Sequence, residues 1–417
     1  MRAALWLLAL FGIAAAIALF AGNNQGTVTL FWPPYRLDLS LNLVLLLLAA
    51  AFIFVHAALR ALAALFDLPR QALRWRNLQK ERAVHAALLD ALSHQLAGRF
   101  IRARKSAEAA LAQEESLEQG GHRLTNGAQL RTLAHLLAAE SSQALQDRAA
   151  REEHLKQALE HAEARDAQET HEGALMRAAR WSLEDRDPLA ALAWLKGMPL
   201  GAARRTIALR TRLKASRLAG QTQEALDTAR LLAKHRAFSP EAAQSIVRGL
   251  AIDLINGAYD LAQLQRAWSA LEPGERLMPE VAIHAARRLT ALGGDAHLAR
   301  DWLLPVWERY ARLGDSLKVK LVQALEEGLD SLDGAWLARI EAAQKANPRD
   351  GTLQYLAGMA CMKRQLWGKA QQLLTHAALG LQDVQLHRNA WRALAELAEQ
   401  RGDEDKASQA WKRAASD

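Results

Sequence analysis

Cysteine occurs once in 417 residues, at Cys361. A lone thiol closes no internal disulfide and builds no thiolate metal cage. The 24 glycines include no Gly-x-Gly, which removes the dinucleotide fingerprint and the glycine-rich phosphate cradle. No Gly-x-Ser-x-Gly elbow occurs, and no loop ends in Gly-Lys-Ser or Gly-Lys-Thr. Proline is scarce, with 10 residues, and β-branched runs almost vanish after residue 60. Alanine and leucine dominate instead, the composition of an all-α protein. None of the 13 histidines lies three or four residues from another, the separations that put two ligands on one helical face. His154 and His161 share a face but stand about 10 Å apart along a helix axis, too far for one metal. No catalytic, cofactor-binding or metal-ligating residue is therefore assigned, and the chain reads as a non-enzyme without a cofactor.

What is present begins with two oily runs. Ala3–Ala21 carries no charge, and as a helix it would be about 28 Å long, roughly one hydrocarbon core. Leu41–Leu59 is the second run, and its only ionisable side chain is His56. A cleavable signal peptide is the rival reading of the first run, but a second run so close behind favours a helical hairpin over residues 1–66. Between them lies TVTLFWPPYRLDLSL, Thr27 to Leu41. Its alternating pattern and Pro33-Pro34 predict a short strand, a turn and a second strand within residues 22–40. Arg2 precedes the first run, and Arg60, Arg70, Arg74, Arg76, Lys80 and Arg82 follow the second. The positive-inside rule puts both termini in the cytoplasm and the ribbon outside. Trp6, Trp32 and Tyr35 suit membrane–water interfaces. His56 lies near the inner end of its run and reads as a snorkelling side chain rather than a porphyrin ligand.

The net charge is +8 and the pI about 9.7. Much of the excess follows the second run, where it would meet anionic lipid headgroups. Later cations are interleaved with acids, so no nucleic-acid partner is expected. Residues 67–126 read as basic juxtamembrane helices and a first helical hairpin. A continuous helical pattern from Arg70 to Gln113 is expected to break over Gln113–Asn126, with Gly120-Gly121 at the loop tip. Residues 127–417 read as a repeat array. A glycine is followed five residues later by alanine at Gly98/Ala103, Gly220/Ala225, Gly257/Ala262, Gly294/Ala299 and Gly402/Ala407. Ala190, Ala338 and Ala370 fall near the same register. A period in the mid-thirties means stacked helical hairpins. Gln113–Glu118 and Arg401–Asp405 read as solvated turns, Cys361 as core, and most of the tryptophans after residue 180 as core.

Two stretches resemble the tetratricopeptide repeat. In 347–378, Gly358, Ala370, Leu374 and Ala377 take its small–small–large–small positions, with Pro348 at the boundary. In 388–414, Leu394, Ala395, Gly402, Ala407, Trp411 and Ala414 fit again. The hairpin, the ribbon with Trp32, Tyr35 and Ser40-Leu41, the basic exit and the degenerate array together resemble the HemY family of proteobacteria. That resemblance implies an inner-membrane protein linked with late haem (protoporphyrin) biosynthesis. It does not imply the flavin enzyme of the same name, which needs a Gly-x-Gly. The expectation is a two-pass inner-membrane scaffold whose cytoplasmic superhelical array binds proteins, possible partners being late haem-pathway enzymes. The alternatives are a scaffold for cell-envelope assembly and a carrier of porphyrin or haem.

Overall fold

The computed structural model describes residues 11–19, 22, 25–161 and 167–416. Among these the chain is helical apart from one two-stranded ribbon. It divides into two compact units, Met1–His171 and Glu172–Asp417.

In the first unit, β1 (Thr27–Trp32) and β2 (Tyr35–Ser40) pair antiparallel around the Pro33–Pro34 turn, Thr27 opposite Ser40 and Trp32 opposite Tyr35. The period-2 pleat puts Val28, Leu30 and Trp32 on one face with Tyr35, Leu37 and Leu39. The threonines, Asp38 and Ser40 take the other, where Arg36 stacks on the Phe31 ring. Ser40 ends the strand and caps the next helix, its hydroxyl accepting from the Leu43 amide.

That helix, α2 (Leu41–Leu96), has 56 residues and is about 84 Å long. Among the described residues it alone is long and apolar enough to cross a membrane. Of the expected partner span Ala3–Ala21, residues 11–19 are helical (α1), and the remainder lies outside the described residues. Ile13, Ala16 and Ile17 of α1 line an apolar groove with Asn42, Leu45, Leu46 and Ala49 of α2. The described residues thus hold one helix long and apolar enough to span a membrane and a helical fragment, and the expected two-helix hairpin is not established by them.

The continuous helix expected over Arg70–Gln113 is corrected. It starts far earlier, at Leu41, and stops at Gly98, whose φ of +70° reverses the chain. It resumes as α3 (Phe100–Gln119). The stretch Gln113–Glu118, expected to be a solvated turn, is the C-terminal part of α3. The physical reason is burial: Glu114 and Leu117 face inward, which holds that stretch helical. The break falls at Gly120-Gly121 and beyond, before α4 (Gly127–Ala144) and α5 (Arg148–His161). The C-terminal part of α2 packs on α3 and α4. Ala91, Ala107 and Ala138, one from each helix, meet there fully buried. Without larger side chains between them the three backbones approach closely.

The second unit starts within α6 (Gln168–Glu184). It continues through α7 (Pro188–Lys196), α8 (Leu200–Ala203), α9 (Thr206–Leu218), α10 (Thr222–Lys234) and α11 (Pro240–Asn256). Next come α12 (Leu261–Ala270), α13 (Pro273–Arg276), α14 (Pro279–Ala291), α15 (Ala296–Trp307), α16 (Asp315–Glu326) and α17 (Gly334–Ala346). The last are α18 (Gly351–Lys363), α19 (Trp367–Gly380), α20 (Val384–Gln400) and α21 (Glu404–Ser416). Helices pair as α9/α10, α14/α15, α18/α19 and α20/α21. First helices also meet the first helices of neighbouring pairs: α11 with α14, α14 with α16, α16 with α18 and α18 with α20. This is the stacked-hairpin plan the repeat predicted. One core runs through it from Leu209 to Leu397.

The hairpin turns share a geometry. After each left-handed residue the next amide donates to the carbonyl five positions back, as Gln221 to Ser216 and Asp403 to Ala398 do. That bond closes a Schellman turn. Glycine supplies the left-handed residue at Gly220 and Gly402, but Gln146, Arg186, Arg236 and Gln365 take the same conformation elsewhere. The glycine signal therefore underreports the repeat. Two glycines of the expected series play other parts. Gly257 is right-handed at the end of α11, and the left-handed place near residue 294 belongs to Gly293. A Cβ on Gly294 would stand 2.6 Å from Leu289 Cδ1, so Gly294 is there for contact. Ala103, Ala225, Ala299, Ala370 and Ala407 are buried as the register requires. Ala262 and Ala338 are exposed and Ala190 half-exposed; Leu264, Ile340 and Ala191 take the buried places. In the best-matching unit Gly358 packs against Leu374, with Ala370, Leu374 and Ala377 all inaccessible to solvent.

Candidate partner-binding region and its polar supports

The side chains singled out in the sequence fall in separate places. His56 is exposed on α2 and stacks near Phe52. Cys361 is fully buried on α18, and burial pushes its thiol pKa up. A desolvated thiol with a raised pKa is core, as expected, and a poor nucleophile. Of Arg401–Asp405, expected to be a solvated turn, Arg401–Asp403 is the turn, while Glu404 and Asp405 open α21. Trp181, Trp302, Trp307 and Trp336 are buried; Trp194, Trp268, Trp367 and Trp391 are half-buried; Trp411 is exposed. The side chain of His161 lies outside the described residues.

His154 has a partner that no sequence spacing along one helix reveals. Its Nδ1 lies 3.2 Å from Nδ1 of His135, across the antiparallel pair α4/α5. One ring must donate and the other accept. On its far side His154 Nε2 is 3.9 Å from Glu108, so the potential ligands face opposite edges of one ring and converge on no common point. No metal-ligand cluster exists among the described residues. Burial, with help from Arg104, lowers the His154 pKa despite the opposing pull of Glu108, Glu153 and Asp147.

Ion pairs stitch this unit. Arg131 of α4 reaches Glu114 at 2.9 Å and Glu118 at 2.8 Å on α3. Arg104 of α3 reaches Asp147 at 2.9 Å. The Ser141 hydroxyl of α4 donates to Gln95 of α2 at 2.7 Å. Besides the alanines, Val84, Leu117 and Leu130 form a second small apolar cluster of these three helices, and the buried Glu114 and Ser141 add register, since a buried polar group tolerates few alternative partners.

In the second unit, polar ties recur from one hairpin to the next. Arg230 grips Glu275 through two bonds of 2.8 and 2.6 Å, which raises the arginine pKa. Such a fork fixes geometry as well as distance. Arg300 is buried and donates to the carbonyls of Gly328 and Ser331. Tyr355 donates to Glu326 at 2.5 Å, and burial is the main reason the Glu326 pKa rises. Lys369 meets Glu341 at 2.7 Å. Aromatic rings fill the spaces between. Trp268 stacks on Trp302 with centroids 4.5 Å apart, and Trp307 contacts both Tyr310 and Trp336. Cations lie over the half-buried rings of Trp268 and Trp391, from Arg276 and Arg413, and Arg339 lies over the buried Trp336. Half-buried aromatics roofed by arginine are side-chain types enriched at protein interfaces.

Three solved structures are similar to the chain. One is a crystal structure of the APC/C hetero-tetramer Cut9–Hcn1, at 14% identity over 78% of this chain and 65% of that one, with TM-score 0.28. Another is Naa15/Naa10 bound to HypK-THB, at 14% over 77% and 56%, TM-score 0.23. The third is the P58(IPK) TPR domain, at 13% over 76% and 99%, TM-score 0.23. The chain spans less than two thirds of the length of the first two. Likeness at such TM-scores adds nothing to the hairpin geometry, which stands by itself. No curated protein matches the chain. Residues 26–146 match the family model described as the HemY protein N-terminus. They span the ribbon, all of α2 and the stitched helices α3 and α4, and this segment, under a third of the chain, is what is similar to the HemY family.

Proposed function

We propose that this protein is a non-enzymatic scaffold of the bacterial inner membrane that gathers partner proteins through the helical repeats of residues 172–417. The observation that carries the reading is the stacking of first helices α11, α14, α16, α18 and α20 on one another. Stacked hairpins present an extended surface rather than a closed pocket, and such surfaces bind polypeptide. The apolar part of α2 supports the membrane attachment. In this reading α1 and α2 cross as a pair, the ribbon lies outside with Val28, Leu30 and Trp32 toward the lipid, and both termini are cytoplasmic. Tethering then raises the local concentration of membrane-bound partners without any new contact. The link to late haem biosynthesis rests on family resemblance.

The test is the porphyrin and haem profile of cells lacking the chain, complemented either with the whole protein or with residues 1–171. The scaffold reading expects one late intermediate to accumulate, the whole chain to cure it, and residues 1–171 to fail. A normal profile in the deletion strain ends the haem assignment; full rescue by residues 1–171 ends the role given to the repeats. Reporter fusions near Asn23 and at Asp417 should report the outside and the inside respectively, and an externally active C-terminal fusion refutes the topology.

A further inference from the structure

The sequence between Pro188 and Gln223 holds seven lysines and arginines and no acid, in a chain whose other cations mostly alternate with acids. Acids on facing helices satisfy two of the seven. Glu172 of α6 pairs with Arg205 at 2.8 Å, and Glu224 of α10 lies 3.8 Å from Arg212. The next acid on α10, Asp227, is taken by Arg230. The helical period of α9 gathers the rest of its charge. Ala208, Leu209, Leu213 and Ser216 face the core, which leaves Arg210, Lys214 and Arg217 in line on the exposed face. Arg210 is held in place, donating to the Ala237 carbonyl at 2.8 Å and lying over the Phe238 ring. Lys214 and Arg217 meet no acidic side chain among the described residues. Exposed apolar side chains close both ends of the line: Ile207 is 64% and Leu218 60% accessible.

We propose that this ridge of α9 docks an acidic, amphipathic segment of a partner protein. The inference rests on the scaffold reading and names the chemistry of one partner. Cations at i, i+4 and i+7 repel one another and are relieved by carboxylates set at the same spacing. The apolar ends supply anchors that charge alone lacks. The ridge is about 16 Å long and one helix wide, which fits a single polypeptide segment better than a flat lipid surface.

The test uses the full chain in nanodiscs of neutral phosphatidylcholine. The probe is a fluorescein-labelled peptide with glutamates at i, i+4 and i+7 and a leucine at each end; its lysine counterpart is the control. Saturable anisotropy is expected for the glutamate peptide only, weakening as salt screens it. K214S/R217S should lower affinity about tenfold, the sum of two exposed pairs. K214E/R217E should reverse the preference to the lysine peptide. Both pairs are exposed, so the fold is kept. Equal binding by wild type and variants, or by both peptides, overturns the proposal. So does loss, in the variants, of binding to phosphatidylglycerol vesicles by a chain that ignores the peptide, which assigns the ridge to lipid. If peptide binding is absent while porphyrin rescue still needs residues 172–417, this inference falls alone and the scaffold reading stands.

Discussion

Two glycine-to-alanine substitutions should move stability in opposite directions. Gly249 lies inside α11, exposed, with nothing within 4 Å of where a Cβ would sit. Alanine there gains the helix-propensity difference of about 1 kcal/mol. Gly358 lies inside α18, and its added Cβ would stand 2.7 Å from Leu374 Cγ, 2.9 Å from Cδ2 and 3.3 Å from the Leu374 amide nitrogen. Leu374 is wholly buried, and the short distance to its backbone means that a rotamer change alone cannot make room. Helices α18 and α19 must separate, which costs about 1–3 kcal/mol. The propensity gain is common to both sites and cancels between them. Gly358→Ala should thus be less stable than Gly249→Ala by about 1–3 kcal/mol, and near to or below wild type. Urea unfolding of the full chain in detergent, followed by helical circular dichroism, reads the difference. Repeat units can open locally, so hydrogen exchange over 351–363 and 367–380 should show faster opening in Gly358→Ala alone. Equal stabilisation by both substitutions would refute the claim that this glycine lets the helix pair close.

Gln365 holds a left-handed turn with φ of +57°, and Gln365→Gly should stabilise the α18/α19 hairpin by about 0.5–1 kcal/mol, read as a raised urea midpoint. A lower midpoint would show that the glutamine side chain contributes more than its strain costs. The lowered folded pKa of His154, against an ordinary value of 6.5, means the unfolded chain binds the proton more readily. Stability should therefore fall as pH drops below 6.5 toward the folded value, and His154→Asn should remove part of that slope; an unchanged slope sinks the argument. Glu326 has the opposite sign: its raised folded pKa favours the neutral acid, so ionisation above 4.5 works against the fold as pH rises through the folded value. Glu326→Gln, which keeps an acceptor for Tyr355, should stabilise the chain at pH 7 and lose that advantage below pH 4.5. Destabilisation at pH 7 would show that the charged form of Glu326 is the one the fold needs.

The one-dimensional features of this protein were legible in the residues themselves. Uninterrupted apolar length marks a span; period-2 alternation around Pro33-Pro34 marks the ribbon; small residues at Gly358, Ala370 and Ala377 mark a close helix pair. Each depends on neighbours within a few turns, where spacing dictates which side chains share a face. Glycine alone proved a biased reporter of the turns, because Gln146, Arg186, Arg236 and Gln365 accept a left-handed backbone when the helices on either side hold it. The stretch Gln113–Glu118 looked like a solvated loop by its polarity. Only its packing shows Glu114 turned inward to Arg131, which keeps α3 helical to Gln119. Pairings across helices were likewise decided by tertiary structure: His135 with His154, Ala91 with Ala107 and Ala138, Tyr355 with Glu326. The partners are 16 to 31 residues apart in the nearest steps of these sets or belong to different hairpins. No periodicity along one helix specifies which residue of a neighbouring helix arrives opposite, because that depends on crossing angle and stagger, quantities that exist only once the helices have packed.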